Sequence, residues 1–170
     1  CGGEIVFAPS LEVMYPDGFS THVSVEGLSD ILEGASRPGH FRGVATVVTK
    51  LLTCVRPHAA VFGRKDAQQV AVIPRLVEDL NLGTDILVSP TVREGDGLAR
   101  SSRNMFLTAE ERTRSTVLFQ ALREARHRLE RGVRAVDLLE SGMRRTIESR
   151  SLAKVDYAAI RDLDSFREIE

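Results

Sequence analysis

In the first half of the chain, short apolar runs alternate with stretches of helical periodicity, and this alternation restricts the fold more than any other feature. Residues 4–9 (Glu-Ile-Val-Phe-Ala-Pro), residues 59–62 (Ala-Ala-Val-Phe) and residues 85–90 (Asp-Ile-Leu-Val-Ser-Pro) have the length and apolar content of buried parallel strands. Between them, Phe41, Val44, Val47, Val48, Leu51, Leu52 and Val55 fall at helical spacing, as do Val70, Ile73, Leu76, Val77 and Leu80. Strand and helix in turn predict a parallel sheet with crossover helices, the α/β class. Pro57 ends the first helix, and Pro74 inside the second is expected to disturb it. Residues 21–25 (Thr-His-Val-Ser-Val) alternate as a half-exposed strand does.

Beyond residue 90 the pattern changes. Thr108 with Glu111 carries a capping-box signature ahead of a helix through Leu118, Ala121, Leu122, Ala125 and Leu129, closed by Gly132. A second helix is predicted from about Ala135 to Ser149, and residues 155–160 read as a strand. This predicts a boundary near residues 90–96, with one domain over 1–90 and a smaller α+β domain over 91–170.

Composition limits the function classes. With 42% hydrophobic and 28% charged residues the chain is expected to be globular and soluble, and a net charge of -1 gives no general field for nucleic acid or an anionic membrane. Any phosphate affinity must therefore be local. Cys1 and Cys54 are the only cysteines, so no disulfide framework is indicated and a cytoplasmic setting is expected; Cys54 is expected to pack in an apolar stretch. No apolar run approaches the roughly 20 residues that span a bilayer.

Three clusters are candidates for chemistry. Residues 97–104, Gly-Leu-Ala-Arg-Ser-Ser-Arg-Asn, can offer an anion backbone N–H groups, the Ser101 and Ser102 hydroxyls and the planar Arg103 fork; the plainer reading is a polar turn and helix cap. Gly63, Arg64, Lys65 and Asp66 lie where a strand becomes a helix, where free N–H groups and the dipole favour an anion. Lys65 can meet phosphate there, Asp66 can hold Mg²⁺ directly or through water, and Gln69 one turn on can bind a small polar substrate; a solvated helix start is the alternative. The third cluster, residues 33–44, is dense in glycine, proline and charge, and His40 within it can contact a carboxylate or phosphate, or simply cap the helix or pack. His22, His58 and His127 share no metal-ligand spacing with each other or with a cysteine. No Gly-x-Ser-x-Gly is present, so covalent hydrolysis has no support.

Taken in order, these clusters resemble the pantothenate synthetase (pantoate–β-alanine ligase) family. The resemblance rests on Met14-Tyr15-Pro16 with Gly18, Leu32-Glu33-Gly34, Arg37-Pro38-Gly39-His40-Phe41, Phe62-Gly63, Lys65-Asp66, Gln68-Gln69, Pro90-Thr91-Val92-Arg93-Glu94, Gly97-Leu98-Ala99 and Ser101-Ser102-Arg103-Asn104. It implies a Rossmann-like nucleotidyltransferase (HIGH-superfamily) parallel sheet followed by a small domain that closes over ATP. By analogy, Gly63, Arg64, Lys65, Asp66, Val92, Arg100, Ser101, Ser102 and Arg103 contact ATP, with Lys65, Ser101, Ser102 and Arg103 catalytic. Gln69 and His40 bind pantoate, Asp66 bears on Mg²⁺, β-alanine is the second acceptor substrate, and the segment 33–44 lies near a homodimer contact. Arg64, Ala67 and Arg100 depart from the glutamate, tyrosine and methionine or leucine usual in the family. The family's His-Ile-Gly-His-type signature and a second pantoate-binding glutamine would precede residue 1, so the chain is expected to be a fragment with little activity alone. The alternatives are another nucleotidyltransferase of the same fold and a non-catalytic dimerisation remnant.

Overall fold

The computed structural model of the chain describes residues 2–151, 153–163 and 165–169; Cys1 and Glu170 lie outside the described residues. The first half is built on β1 (Ala59–Gly63), α4 (Ala67–Asp79) and β2 (Asp85–Ser89), preceded by the short helices α1 (Leu11–Met14) and α2 (Glu33–Ser36) and the long α3 (His40–Val55). β1 and β2 pair in parallel, from Ala59 opposite Asp85 to Gly63 opposite Ser89, with α4 as the crossover. This is the predicted strand–helix–strand unit. α4 runs unbroken through Pro74, whose side chain is exposed.

The apolar stripes of α3 and α4 face each other. Ala45, Val48 and Leu52 of α3 meet Val72, Ile73 and Leu76 of α4, and Phe41 and Val25 complete the cluster. Ile73 is fully buried, so Ile73→Ala should remove about 2–5 kcal/mol of unfolding free energy, read as a lower urea midpoint. One sheet face packs on these helices through Ala60, Phe62 and Ile86. The other, expected to be buried as well, is open, with Val61 67% and Leu87 53% exposed, because no described element packs on it.

In the second half, a 3₁₀ turn over Ser102–Phe106 leads to α5 (Ala109–Ser115), α6 (Val117–Glu130) and α7 (Val136–Arg150). α6 and α7 close a separate cluster of Val117, Ala121, Met143, Ile147 and Val155, so of the stripe expected for α6, Ala121 turns inward while Leu118, Leu122 and Leu129 are exposed. The capping box is formed as the sequence predicts, with Glu111 N–H donating to Thr108 Oγ1 at 3.2 Å and Thr108 N–H to Glu111 Oε2 at 2.8 Å. Gly132 follows α6 at φ +95°. No described helix is long and apolar enough to cross a membrane.

Further local expectations are corrected. Residues 4–9 form no strand: Ile5 and Val6 are 89% and 87% exposed, and a strand without a neighbour has no ladder to hold it. Residues 21–25 form none either, because Val23 N–H donates to Thr46 Oγ1 (3.0 Å) and Val25 packs into the α3–α4 core. At residues 155–160, side chains of α7 take the backbone instead of a ladder. Arg144 donates to the Val155 carbonyl and Ile160 N–H donates to Glu140 Oε1 at 2.6 Å. Cys54 is exposed rather than packed, since it lies off the buried stripe of α3.

Candidate functional site

Both candidate clusters follow the carboxyl ends of paired parallel strands, where open α/β sheets bind ligands. Gly63 is the last residue of β1 opposite Ser89, and Arg64 N–H extends the ladder to the Ser89 carbonyl at 2.8 Å. The chain then turns through Lys65 and Asp66 into α4, whose first turn receives no side-chain cap from Asp66. Among the described residues, no side chain caps the N–H groups of this turn. Lys65 Nζ lies 3.5 Å from Asp66 Oδ1, with the two side chains 40% and 60% exposed. Such a pair is weak in water and leaves the ammonium available to a phosphate.

Gln68 and Gln69 divide their work by helix geometry, being about 100° apart. Gln69 is half-buried beside the helix start. Gln68 is buried and structural: its Nε2 donates to the carbonyls of Leu28 (2.7 Å) and Ile31 (2.8 Å), and its Oε1 accepts from Glu33 N–H (3.1 Å). This role was missed from the sequence. Its signal was there, since position 68 falls on the stripe of Val72 and Leu76.

Beyond β2, residues 92–100 double back as a tight hairpin. Arg93 bridges Ala99, Glu94 N–H donates to Leu98 O at 2.8 Å, and Arg100 N–H to Val92 O at 2.9 Å. Gly97 turns it at φ +93°, so close to Phe119 that a Cβ would fall 1.9 Å from the ring. Arg93 donates to the Gly97 carbonyl (3.1 Å) and lies 4.5 Å from the Phe119 ring centroid. Arg112 ties the hairpin to α5 through Asp96 (2.7 Å) and Glu94 (3.4 Å), and its hydrogen bond holds the Asp96 carboxyl below the usual range.

The hairpin presents the Ser-Ser-Arg string. Ser101 Oγ accepts from Arg103 N–H at 3.2 Å and caps the 3₁₀ turn, while Asn104 Nδ2 donates to Ala99 O at 3.0 Å. The cap reading and the anion reading are thus compatible, because a capped turn holds neighbouring hydroxyl and guanidinium groups in place. Ser102, Arg103, Arg100 and Val92 are all exposed. His40 is the first residue of α3, after Gly39 at φ +81°, and its ring meets Phe41 edge-on at 5.0 Å. Among the described residues, no hydrogen bond or ion pair joins residues 63–69 to residues 99–104 or to His40. No group of three or more potential metal-ligating side chains occurs among the described residues.

The sequence profile of the pantoate–β-alanine ligase family matches residues 1–170. A pantothenate synthetase of Roseiflexus sp. (strain RS-1) is 53% identical over 98% of this chain and 60% of its own length. That of Gluconobacter oxydans (strain 621H) is 51% identical, again over 98% of this chain and 60% of its own length. Among solved structures, a Thermus thermophilus pantothenate synthetase superposes with a TM-score of 0.93 at 43% identity, covering 99% of this chain and 61% of that one. The Francisella tularensis pantoate–β-alanine ligase, complexed with β-γ ATP and β-alanine, gives 0.68 at 36% identity over 82% of this chain and 50% of its own. The chain spans about 60% of the length of the curated relatives it matches. With its profile matched from end to end and its α/β fold shared with solved pantothenate synthetases, the chain belongs to the pantoate–β-alanine ligase family.

Proposed function

We propose that the protein containing this chain joins pantoate to β-alanine at the expense of ATP. A carboxylate oxygen of pantoate attacks the α-phosphorus, the bond to pyrophosphate breaks, and pantoyl adenylate forms. The free amine of β-alanine then attacks the acyl carbon, AMP leaves, and the nitrogen loses a proton to give the amide. Neither step needs a protein nucleophile, and positioning with charge neutralisation supplies the catalysis.

The observation that carries this reading is the emergence of both motif clusters from the carboxyl ends of β1 and β2. Lys65 neutralises phosphate charge at the start of α4, beside uncapped N–H groups and near Gly63 and Arg64. Ser101, Ser102 and Arg103, with Arg100, form the loop that closes on the phosphates, and Val92 lies against the nucleotide. Gln69 and His40 bind pantoate. Mg²⁺ bound to the ATP phosphates would neutralise charge, and one carboxylate, Asp66, fits its habit of keeping several waters. Residues 1–90 and 91–170 are read as two domains, the second closing over ATP. The reading extends to a cytoplasmic homodimer that uses the segment 33–44.

A protein of the relatives' full length carrying these residues, supplied with ATP, Mg²⁺, pantoate and β-alanine, should release AMP and pyrophosphate in step with pantothenate. AMP release that does not depend on pantoate, or no amide product, would overturn the reading.

A further inference from the structure

The two apolar clusters of the chain are separate, and one side-chain hydrogen bond between described residues joins residues 1–90 to residues 91–170. The Tyr157 hydroxyl donates to Glu33 Oε2 at 3.2 Å, across 124 positions. Glu33 is itself held in place. Its other carboxylate oxygen accepts from Arg37 Nη1 at 2.9 Å, and its backbone N–H donates to Gln68 Oε1 at 3.1 Å. Gln68, only 6% exposed, also grips the carbonyls of Leu28 and Ile31.

The turn carrying Glu33 has little room to yield. A Cβ on Gly34 would fall 1.9 Å from the Ser29 carbonyl oxygen, and Leu32 is held at φ +49°. A strained, over-determined turn passes displacement on instead of absorbing it. Gln68 lies in the first turn of α4, three residues after Lys65 and next to Gln69. A continuous polar chain therefore runs from the second half of the molecule to the helix start that carries the proposed substrate contacts.

We propose that Tyr157 and Glu33 form a latch that seats the second half against the first, and that Gln68 carries this seating to the start of α4. Tyr157, Glu33 and Gln68 are then positioning residues, since they act through Lys65 and Gln69. The proposal rests on the function proposed above. It goes beyond it in assigning a coupling between the halves.

The test uses the full-length protein. Tyr157→Phe removes one hydroxyl and should raise KM for ATP and pantoate about three- to tenfold with kcat within about twofold, because bound substrates re-seat the halves at saturation. A merely structural role would lower kcat in proportion to folded enzyme and leave KM alone. Glu33→Gln keeps an acceptor for Tyr157 and should stay within about twofold of the unsubstituted KM, whereas Glu33→Ala should match or exceed Tyr157→Phe. Adding Tyr157→Phe to Glu33→Ala should change nothing further, as expected for two partners of one interaction. An unchanged KM in Tyr157→Phe, or additive effects in the double variant, would overturn the latch. Amide hydrogen exchange separates this outcome from failure of the functional reading: residues 28–36 should exchange faster in Tyr157→Phe whether or not pantothenate forms. Unaltered exchange there would also overturn it.

Discussion

Lys65→Ala in the full-length protein is expected to cut kcat/KM for pantothenate formation by about 10²–10³, measured as pyrophosphate release with saturating pantoate. The magnitude follows from the proposed role, in which Lys65 is one preorganised positive group at the place where the leaving pyrophosphate gains charge. Folding should be almost untouched, because the Lys65–Asp66 pair is 3.5 Å long with 40% and 60% of the two side chains exposed, and pairs of that kind add little to stability. The thermal midpoint should therefore remain near that of the unsubstituted protein while activity falls. Lys65→Arg should recover only part of the loss, since a planar fork replaces a compact ammonium in a turn fixed by the β1–β2 ladder. Activity within tenfold of the unsubstituted enzyme in Lys65→Ala would remove Lys65 from the catalytic set.

Gly97→Ala has the largest expected effect on the second cluster, and it acts through backbone and packing together. The residue sits at φ +93°, and an added Cβ would meet three atoms of the Phe119 ring, at 1.9, 2.5 and 2.8 Å. The strained backbone costs about 1–3 kcal/mol and the overpacking a similar amount, so the urea midpoint should fall markedly. Phe119 has little freedom to move away. Arg93 lies over its ring at 4.5 Å and is tied back to the Gly97 carbonyl, so moving the ring also loosens the hairpin that delivers Ser101, Ser102 and Arg103. Catalysis should fall with stability in this variant, the opposite of the separation expected at Lys65. A Gly97→Ala protein with an unchanged urea midpoint would show that the hairpin re-forms around the methyl group.

The parts of the fold that were legible in the sequence are those in which local pattern and tertiary demand agree. The stripes of α3 and α4, apart from the exposed Val55 and Leu80 at their ends, and the Thr108–Glu111 capping box state in their own spacing which face is buried or which N–H is capped; the apolar runs of β1 and β2 mark strands without showing that one face is open at Val61 and Leu87. Residues 4–9, 21–25 and 155–160 have strand-like spacing too, yet none is a strand. Spacing says only that one face of a segment is apolar. Whether a ladder forms depends on a neighbouring strand, and at Val23 and Ile160 side chains from α3 and α7 take the backbone groups instead.

The same division runs through the candidate site. Residue types and order nominate Gly63 to Asp66, Gln69 and Ser101 to Arg103 as candidates, because phosphate chemistry needs N–H groups, fixed cations and hydroxyls that are recognisable in isolation. Gln68 was not distinguishable from Gln69 by type, and its spacing with Val72 and Leu76 marked it as inward-facing without naming its partners. Only the packing of α4 turned one inward onto Leu28, Ile31 and Glu33 and left the other beside the helix start. By itself, then, the sequence determined the α/β class and the inward faces of α3 and α4, and it nominated the two clusters by residue type; it did not determine the face of α6, where Leu118, Leu122 and Leu129 are exposed. The tertiary structure decided which apolar runs became strands, that Gln68 is a strut, and that Tyr157 meets Glu33 from 124 residues away. The physical reason is range: periodicity and capping act within a few residues, whereas ladders and long-range hydrogen bonds depend on what the rest of the chain brings alongside.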